Sequence, residues 1–435
     1  HTILLKSTAP LDTVRMQSAF TALASHHAIL RACFPQGASG REVLVRPADA
    51  VPVTVVTRDL RQSADPDAEQ AAHADGVQRG FDLDAGLLWS VVIYRRDDAD
   101  RLFIAMHHLL VDGVSWRILL DDLFTLYEAL GAGRAAGPLA RSASFAAWSR
   151  GLNAYAQSDT VRQQLPYWQA VAAVTSLPLP VDHGGGNRYG DAEIIRVRLD
   201  ADRSRTLLHE AHAAYATTAE DLLVAALSAT LREWLGGDGH VIAMEGHGRE
   251  GVLDGVEFSR TIGWFTALYP YALDWNLERD LGYRVRQVKE SLRRVPVRGI
   301  GYGLLRYLTR GIDAASLGAD PSISFNYLGQ FDTEADDGVL AIVREPVGED
   351  VAAEGARPFE LEFSAMVMGG RVECQLSFSR RRWQRASLEH VFNRYLAHLN
   401  EIVDHCRGRE RQKLTPSDLS YSDLSIDELE DIFSD

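Results

Sequence analysis

His107-His108-Leu109-Leu110-Val111-Asp112-Gly113-Val114-Ser115-Trp116 joins two stretches of different hydrophobic period. Upstream, Trp89-Ser90-Val91-Val92-Ile93-Tyr94 and Leu102-Phe103-Ile104-Ala105-Met106 are apolar runs rich in β-formers, separated by the polar string 95–101, which is the pattern of a hairpin. Downstream, Trp116, Leu119, Leu120, Leu123 and Tyr127 recur at i, i+3, i+4, i+7 and i+11, one face of a helix, with Ser115 as its expected N-cap. The string is therefore a strand-to-helix turn in a chain of α/β class. Adjacent histidines at a strand end are expected to point to opposite sides, so that one faces a cleft while the other packs. Histidine titrates near neutrality and is the commonest proton carrier in enzymes. Asp112 followed by Gly113 suits a turn held by a carboxylate, with glycine permitting a backbone conformation that other residues resist. On residues alone, such a histidine pair is more often structural than catalytic.

Working outward, residues 12–34 carry Val14, Phe20, Leu23 and Leu30 among alanines and suit an amphipathic helix. Thr218 and Asp221 form a capping pattern ahead of Leu222, Leu223, Leu227, Leu231 and Trp234, a helix that Gly236 and Gly237 end, and a strand follows at 240–244. Prolines and glycines crowd 176–190, which reads as a linker between an N-terminal lobe (1–175) and a C-terminal lobe (191–413). The tail 414–435 holds acidic residues but no basic one, and Ser425 with Glu428 predicts a short helix bearing Leu429, Ile432 and Phe433. Residues 1–6 read as a strand already under way, so the chain is expected to come from a longer, multidomain parent.

A net charge of −15 disfavours a nucleic-acid partner, because it repels a phosphate backbone. Three scattered cysteines, with no CxxC pair, argue for a reducing compartment and against a thiolate metal site. No apolar run reaches the ~18–20 residues of a membrane span, and a cytoplasmic protein is expected. Other signals are weak. Gly299-Ile300-Gly301-Tyr302-Gly303 has no preceding strand to make it a dinucleotide loop, His209 and His212 do not meet HExxH, and Gly113–Arg117 fails the nucleophile elbow.

The string 107–113 resembles the HHxxxDG motif of the condensation superfamily of peptide synthetases, and Val114-Ser115-Trp116 continues it in the form seen in epimerisation domains. Matching strings follow in order: Glu245-Gly246-His247-Gly248-Arg249-Glu250, Ile262–Pro270, Gly299–Leu308, Phe325-Asn326-Tyr327-Leu328-Gly329-Gln330-Phe331 and Leu414–Asp418. The resemblance implies two chloramphenicol acetyltransferase-like α/β lobes in a V-shaped pseudo-dimer, with an active-site tunnel between them. It implies that His108 and Glu245 are acid/base groups that epimerise an L-aminoacyl or peptidyl thioester through an enolate. A carboxyl in a partly dry site is expected to have a raised proton affinity. His107, Asn326 and Tyr327 are expected to line the site, the last two near the enolate oxygen. Asp112, Gly113 and Trp116 are structural in this reading, and Trp264 and Phe265 are core. No metal or resident cofactor is expected. The substrate would arrive on the phosphopantetheine arm of an upstream peptidyl carrier protein, with a condensation domain downstream. The alternatives are a condensation domain forming peptide bonds and an inactive carrier-docking module.

Overall fold

The computed structural model describes all residues except 39, 52, 276–278, 319, 331–339, 408, 410, 411, 420–423 and 433–435. The chain divides into two compact units, each built from discontinuous segments. The first comprises His1–Ala154, Gly251–Thr266 and Asp332–Ala352; the second comprises Tyr155–Glu250, Ala267–Phe331 and Ala353–Asp435. The segment 176–190, read as a linker, therefore lies inside the second unit, while 251–266 and 332–352 belong to the first. The physical reason is pairing that local patterning does not reveal. Leu340–Ile342 adds to a first-unit strand, and the backbone of Gly263 and Phe265 is held by Ser115 and Asp112.

In the first unit the chain forms β1 (Thr2–Ser7), α1 (Thr13–His26), β2 (Val55–Asp59), α2 (Pro66–Arg79), β3 (Trp89–Arg95), β4 (Arg101–Met106) and α3 (Gly113–Gly131). The expected hairpin is β3–β4, and β4 is antiparallel to both its neighbours, β1 and β3. The short strand Leu340–Ile342 extends the sheet beyond β1, and β2 joins it parallel to β3. Every residue of β4 is buried, which explains an unbroken apolar run where a one-sided strand would alternate. Phe20 and Leu23 of α1 and Trp116, Leu119 and Leu123 of α3 pack with Val91 and Ile104 on one face. On the other, Ala74 of α2 packs with Leu4, Val92, Tyr94 and Phe103. Each such large buried side chain contributes roughly 1.5–3 kcal/mol.

Two helix boundaries differ from expectation. α1 ends at His26, because His27 leaves helical geometry and its buried ring bonds the Asp122 carboxylate at 2.7 Å; Val14, placed on the apolar face by pattern, is 76% exposed. α3 begins at Gly113 with Asp112 and not Ser115 as its N-cap, since the Asp112 carboxylate accepts from the Ser115 N–H at 2.7 Å. The Ser115 hydroxyl serves the other chain segment instead, donating to the Gly263 carbonyl and accepting from its N–H.

The second unit contains β5 (Ala192–Arg198), α4 (Ala219–Leu235), β6 (Gly239–Gly246), β7 (Ala267–Asp274), α5 (Leu281–Arg294), α6 (Ile300–Tyr307), β8 (Ile323–Gln330), β9 (Leu361–Met368), β10 (Arg371–Ser379) and α7 (Arg385–Arg407). Its sheet runs β7-β6-β8-β9-β10-β5, with β6, β8 and β9 mutually parallel at the centre. The Thr218–Asp221 capping box is present in full at the start of α4. Alternation sorts β9 and β10 cleanly. Leu361, Phe363, Ala365, Val372, Cys374 and Leu376 are buried, and Phe363 meets Tyr395 of α7. Glu362, Ser364, Gln375 and Ser377 point the opposite way. One face of this sheet is therefore polar. In the tail, Ser425 and Glu428 make the expected reciprocal bonds ahead of the helix Ile426–Ile432, while Phe433 lies outside the described residues. Among the described residues, no helix is long and apolar enough to cross a membrane.

Candidate functional site

β4 stops at Met106, so both histidines lie in the turn that follows it, and strand alternation does not govern their directions. Each ring is oriented by its own backbone partner. The His107 Nδ1 accepts from the Leu109 N–H at 3.2 Å, and burial lowers that ring's proton affinity. The His108 Nδ1 lies 2.7 Å from the Val111 carbonyl oxygen. A carbonyl only accepts, so Nδ1 carries hydrogen and the neutral ring presents its lone pair at Nε2. Trp264 stacks on this imidazole with ring centroids 4.2 Å apart and planes 26° from parallel. At 43% exposure it is not core, contrary to the expectation; Phe265 beside it is buried.

Asp112 holds the turn with both carboxylate oxygens. One caps α3, and the other accepts from the Phe265 N–H at 3.0 Å, so the carboxylate ties the loop carrying Trp264 to the turn carrying His108. Trp116 is buried in the same core. Gly113 has a different role from the one expected. It is the first helical residue, its φ is not positive, and a Cβ there would meet nothing within 4 Å. Neither conformation nor crowding demands glycine at this position.

In the second unit, Glu245 is the penultimate residue of β6. Strand register pairs Met244 with Phe325, which brings Glu245 beside Asn326, and the Asn326 amide donates to the Glu245 carboxylate at 2.5 Å. Asn326 and Tyr327 lie within β8, which runs on to Gln330; Phe331 lies outside the described residues. Burial, with the Glu362 carboxylate as the second cause, raises the Glu245 pKa from 4.5 to about 7. Asn326 pairs with Ser364, two residues beyond Glu362 on the polar face of β9. Glu362 is itself fixed. The guanidinium of Arg357, whose side chain is fully buried, donates to it at 2.5 Å and to the Ser377 hydroxyl at 2.9 Å.

Trp264 and Glu362 are the residues that sequence reading missed in this role. Exposure of Trp264 has no local signature, whereas the alternation of 361–368 does place Glu362 opposite the core. The first unit thus holds an imidazole whose neutral form carries its hydrogen on Nδ1, and the second holds a carboxyl whose pKa is raised to about 7. Among the described residues, no group of three or more His, Cys, Asp or Glu side chains is placed to hold a metal ion.

The condensation-domain family model matches residues 1–425, and the chain belongs to that family. It is 34% identical over 99% of its length to surfactin synthase subunit 1 of Bacillus subtilis (strain 168), and 35% identical over 97% to tyrocidine synthase 2 of Brevibacillus parabrevis. It spans only 12% of either relative. Among solved structures, it is similar to the epimerization domain from the third module of tyrocidine synthetase B, with 32% identity, a TM-score of 0.90, and coverage of 94% of this chain and 92% of that one. The X-domain from teicoplanin biosynthesis shares the fold at 21% identity and a TM-score of 0.70, covering 94% of this chain and 91% of that one.

Proposed function

We propose that this chain epimerises an L-aminoacyl or peptidyl residue held as a thioester on the phosphopantetheine arm of a carrier protein. The observation that carries this reading is Glu245, a carboxyl whose pKa of about 7 lets it both take and give a proton under neutral conditions. The likeness to an epimerization domain at 32% identity supports it. In the proposed reaction a base takes the Cα proton and the C–H electron pair moves into the thioester carbonyl as an enolate. A proton then returns to the opposite face. Glu245 and His108 are the two proton carriers, the imidazole acting through Nε2. Asn326 holds the Glu245 carboxylate in place. Because the synthases it resembles are far longer, an upstream carrier and a downstream condensation domain belong to the same proposal.

A second reading, peptide-bond formation, draws on the same His108 nitrogen, which would equally suit assistance to amine attack. Incubating the chain with an L-aminoacyl carrier in deuterium oxide separates the two. Epimerisation places deuterium at Cα, and the Glu245→Gln variant loses this by about 10²- to 10⁴-fold. With a second aminoacyl carrier added as acceptor, amide product formed with release of the donor carrier's thiol and without Cα exchange would support condensation.

A further inference from the structure

A second set of ionisable groups lies in the first unit, away from His108. The end of α1, residues 141–145 and residues 260–262 enclose a cavity of about 260 Å³ whose lining includes His26, His27, Arg141, Ser144, Arg260 and Thr261. Its polar groups are tied into a chain. Buried His27 bonds the Asp122 carboxylate at 2.7 Å, and one Arg260 nitrogen, Nη2, donates to Asp122 and to Asp121. Burial acts to raise the pKa of Asp122, but the bonds from His27 and Arg260 outweigh it and hold the carboxylate ionised. Both acidic residues are thus engaged with cations already present. Among the described residues, Arg260 Nε and Nη1 have no hydrogen-bond partner, and Arg141 has neither a hydrogen bond nor an ion pair. The cavity therefore presents unspent guanidinium N–H groups whose geometry suits an oxyanion.

We propose that this cavity binds a phosphate group, with Arg141 as its principal cation and Arg260 as a second donor held in position by Asp121 and Asp122. Asp122 lies ten residues along α3 from Asp112, about 15 Å at the helical rise. That span suits the distance between the phosphate end of an extended phosphopantetheine arm and its thioester. Assigning the phosphate to that arm rests on the proposed function; the phosphate site itself does not.

Calorimetric titration of the full chain with inorganic phosphate, phosphopantetheine and pantetheine tests this without turnover. Phosphopantetheine is expected to bind, inorganic phosphate to compete with it, and pantetheine to bind at least tenfold more weakly. Arg141→Gln is expected to weaken both phosphate-bearing ligands at least tenfold. Arg260→Lys, which keeps a charge for Asp121 and Asp122 but loses the planar fork, gives a smaller loss in the same direction. Absence of phosphate binding in the parent chain, or affinities unchanged in both variants, would overturn the proposal. If inorganic phosphate binds through Arg141 but phosphopantetheine does not displace it, the site takes free phosphate and the arm assignment falls. A chain that binds as expected yet leaves substrate stereochemistry unchanged would remove the proposed function alone.

Discussion

A carboxyl that gains proton affinity on burial makes the folded state less stable once pH forces it to ionise. Glu245 has a folded pKa of about 7 against 4.5 when free, so the stability it contributes is fully present below pH 4.5 and lost as pH rises through 7. The penalty at pH 8 is on the order of 1–3 kcal/mol. Glu245→Gln should therefore be more stable than the parent at pH 8 and indistinguishable at pH 4.5, while losing Cα exchange. Denaturant titrations at the two pH values check this, and equal stability at pH 8 would show that the carboxyl ionises without cost. The same group should give kcat/KM an ionisation near pH 7. Asn326→Leu removes a donor that favours the ionised form, so it should move that ionisation upward, as a pH–rate profile would show. The roles proposed for His108 and Glu245 were suggested by their motifs, and the raised affinity was expected from burial. The stacking of Trp264 on His108 was not legible, because it joins residues distant in sequence through a loop held by Asp112.

At the scale of elements, the turn from β4 into α3 depends on one side chain. Asp112→Ala removes the helix cap and the carboxylate that accepts from the Phe265 N–H. Summed, these should cost about 2–4 kcal/mol, measurable as a fall in unfolding free energy. Gly113→Ala should cost nothing, or stabilise by up to about 1 kcal/mol, because the position is helical and open around the missing Cβ. A stable Gly113→Ala chain with a raised KM for carrier-bound substrate would indicate that substrate passes close to this backbone. Capping at Thr218 was readable from sequence because Thr218 and Asp221 stand at capping-box spacing ahead of the apolar face. Around 112–115 two capping residues compete, and the choice of Asp112 is settled by Ser115 bonding Gly263 across the unit. For β8, pairing with β9 carries the strand through the pair Asn326-Tyr327.

For the whole molecule, α/β class, the two-unit organisation and family membership were all visible in the chain, since strand and helix patterns are local and the motifs recur in order. The membership of each unit was not visible. Residues 251–266 and 332–352 join the first unit through bonds to Asp112, Ser115 and β1, and such recruitment leaves no periodic trace. In the proposed function the substrate is delivered on a carrier. Free L-amino acid should accordingly be inert, and racemisation of it at a rate comparable to the carrier-bound form would refute that dependence. The most direct test of the central claim is chiral analysis of the residue released from an L-loaded carrier after incubation with this chain. D residue is expected to accumulate toward an equilibrium mixture with the parent chain and not with Glu245→Gln; release of L residue alone, from a folded parent chain, would contradict epimerisation.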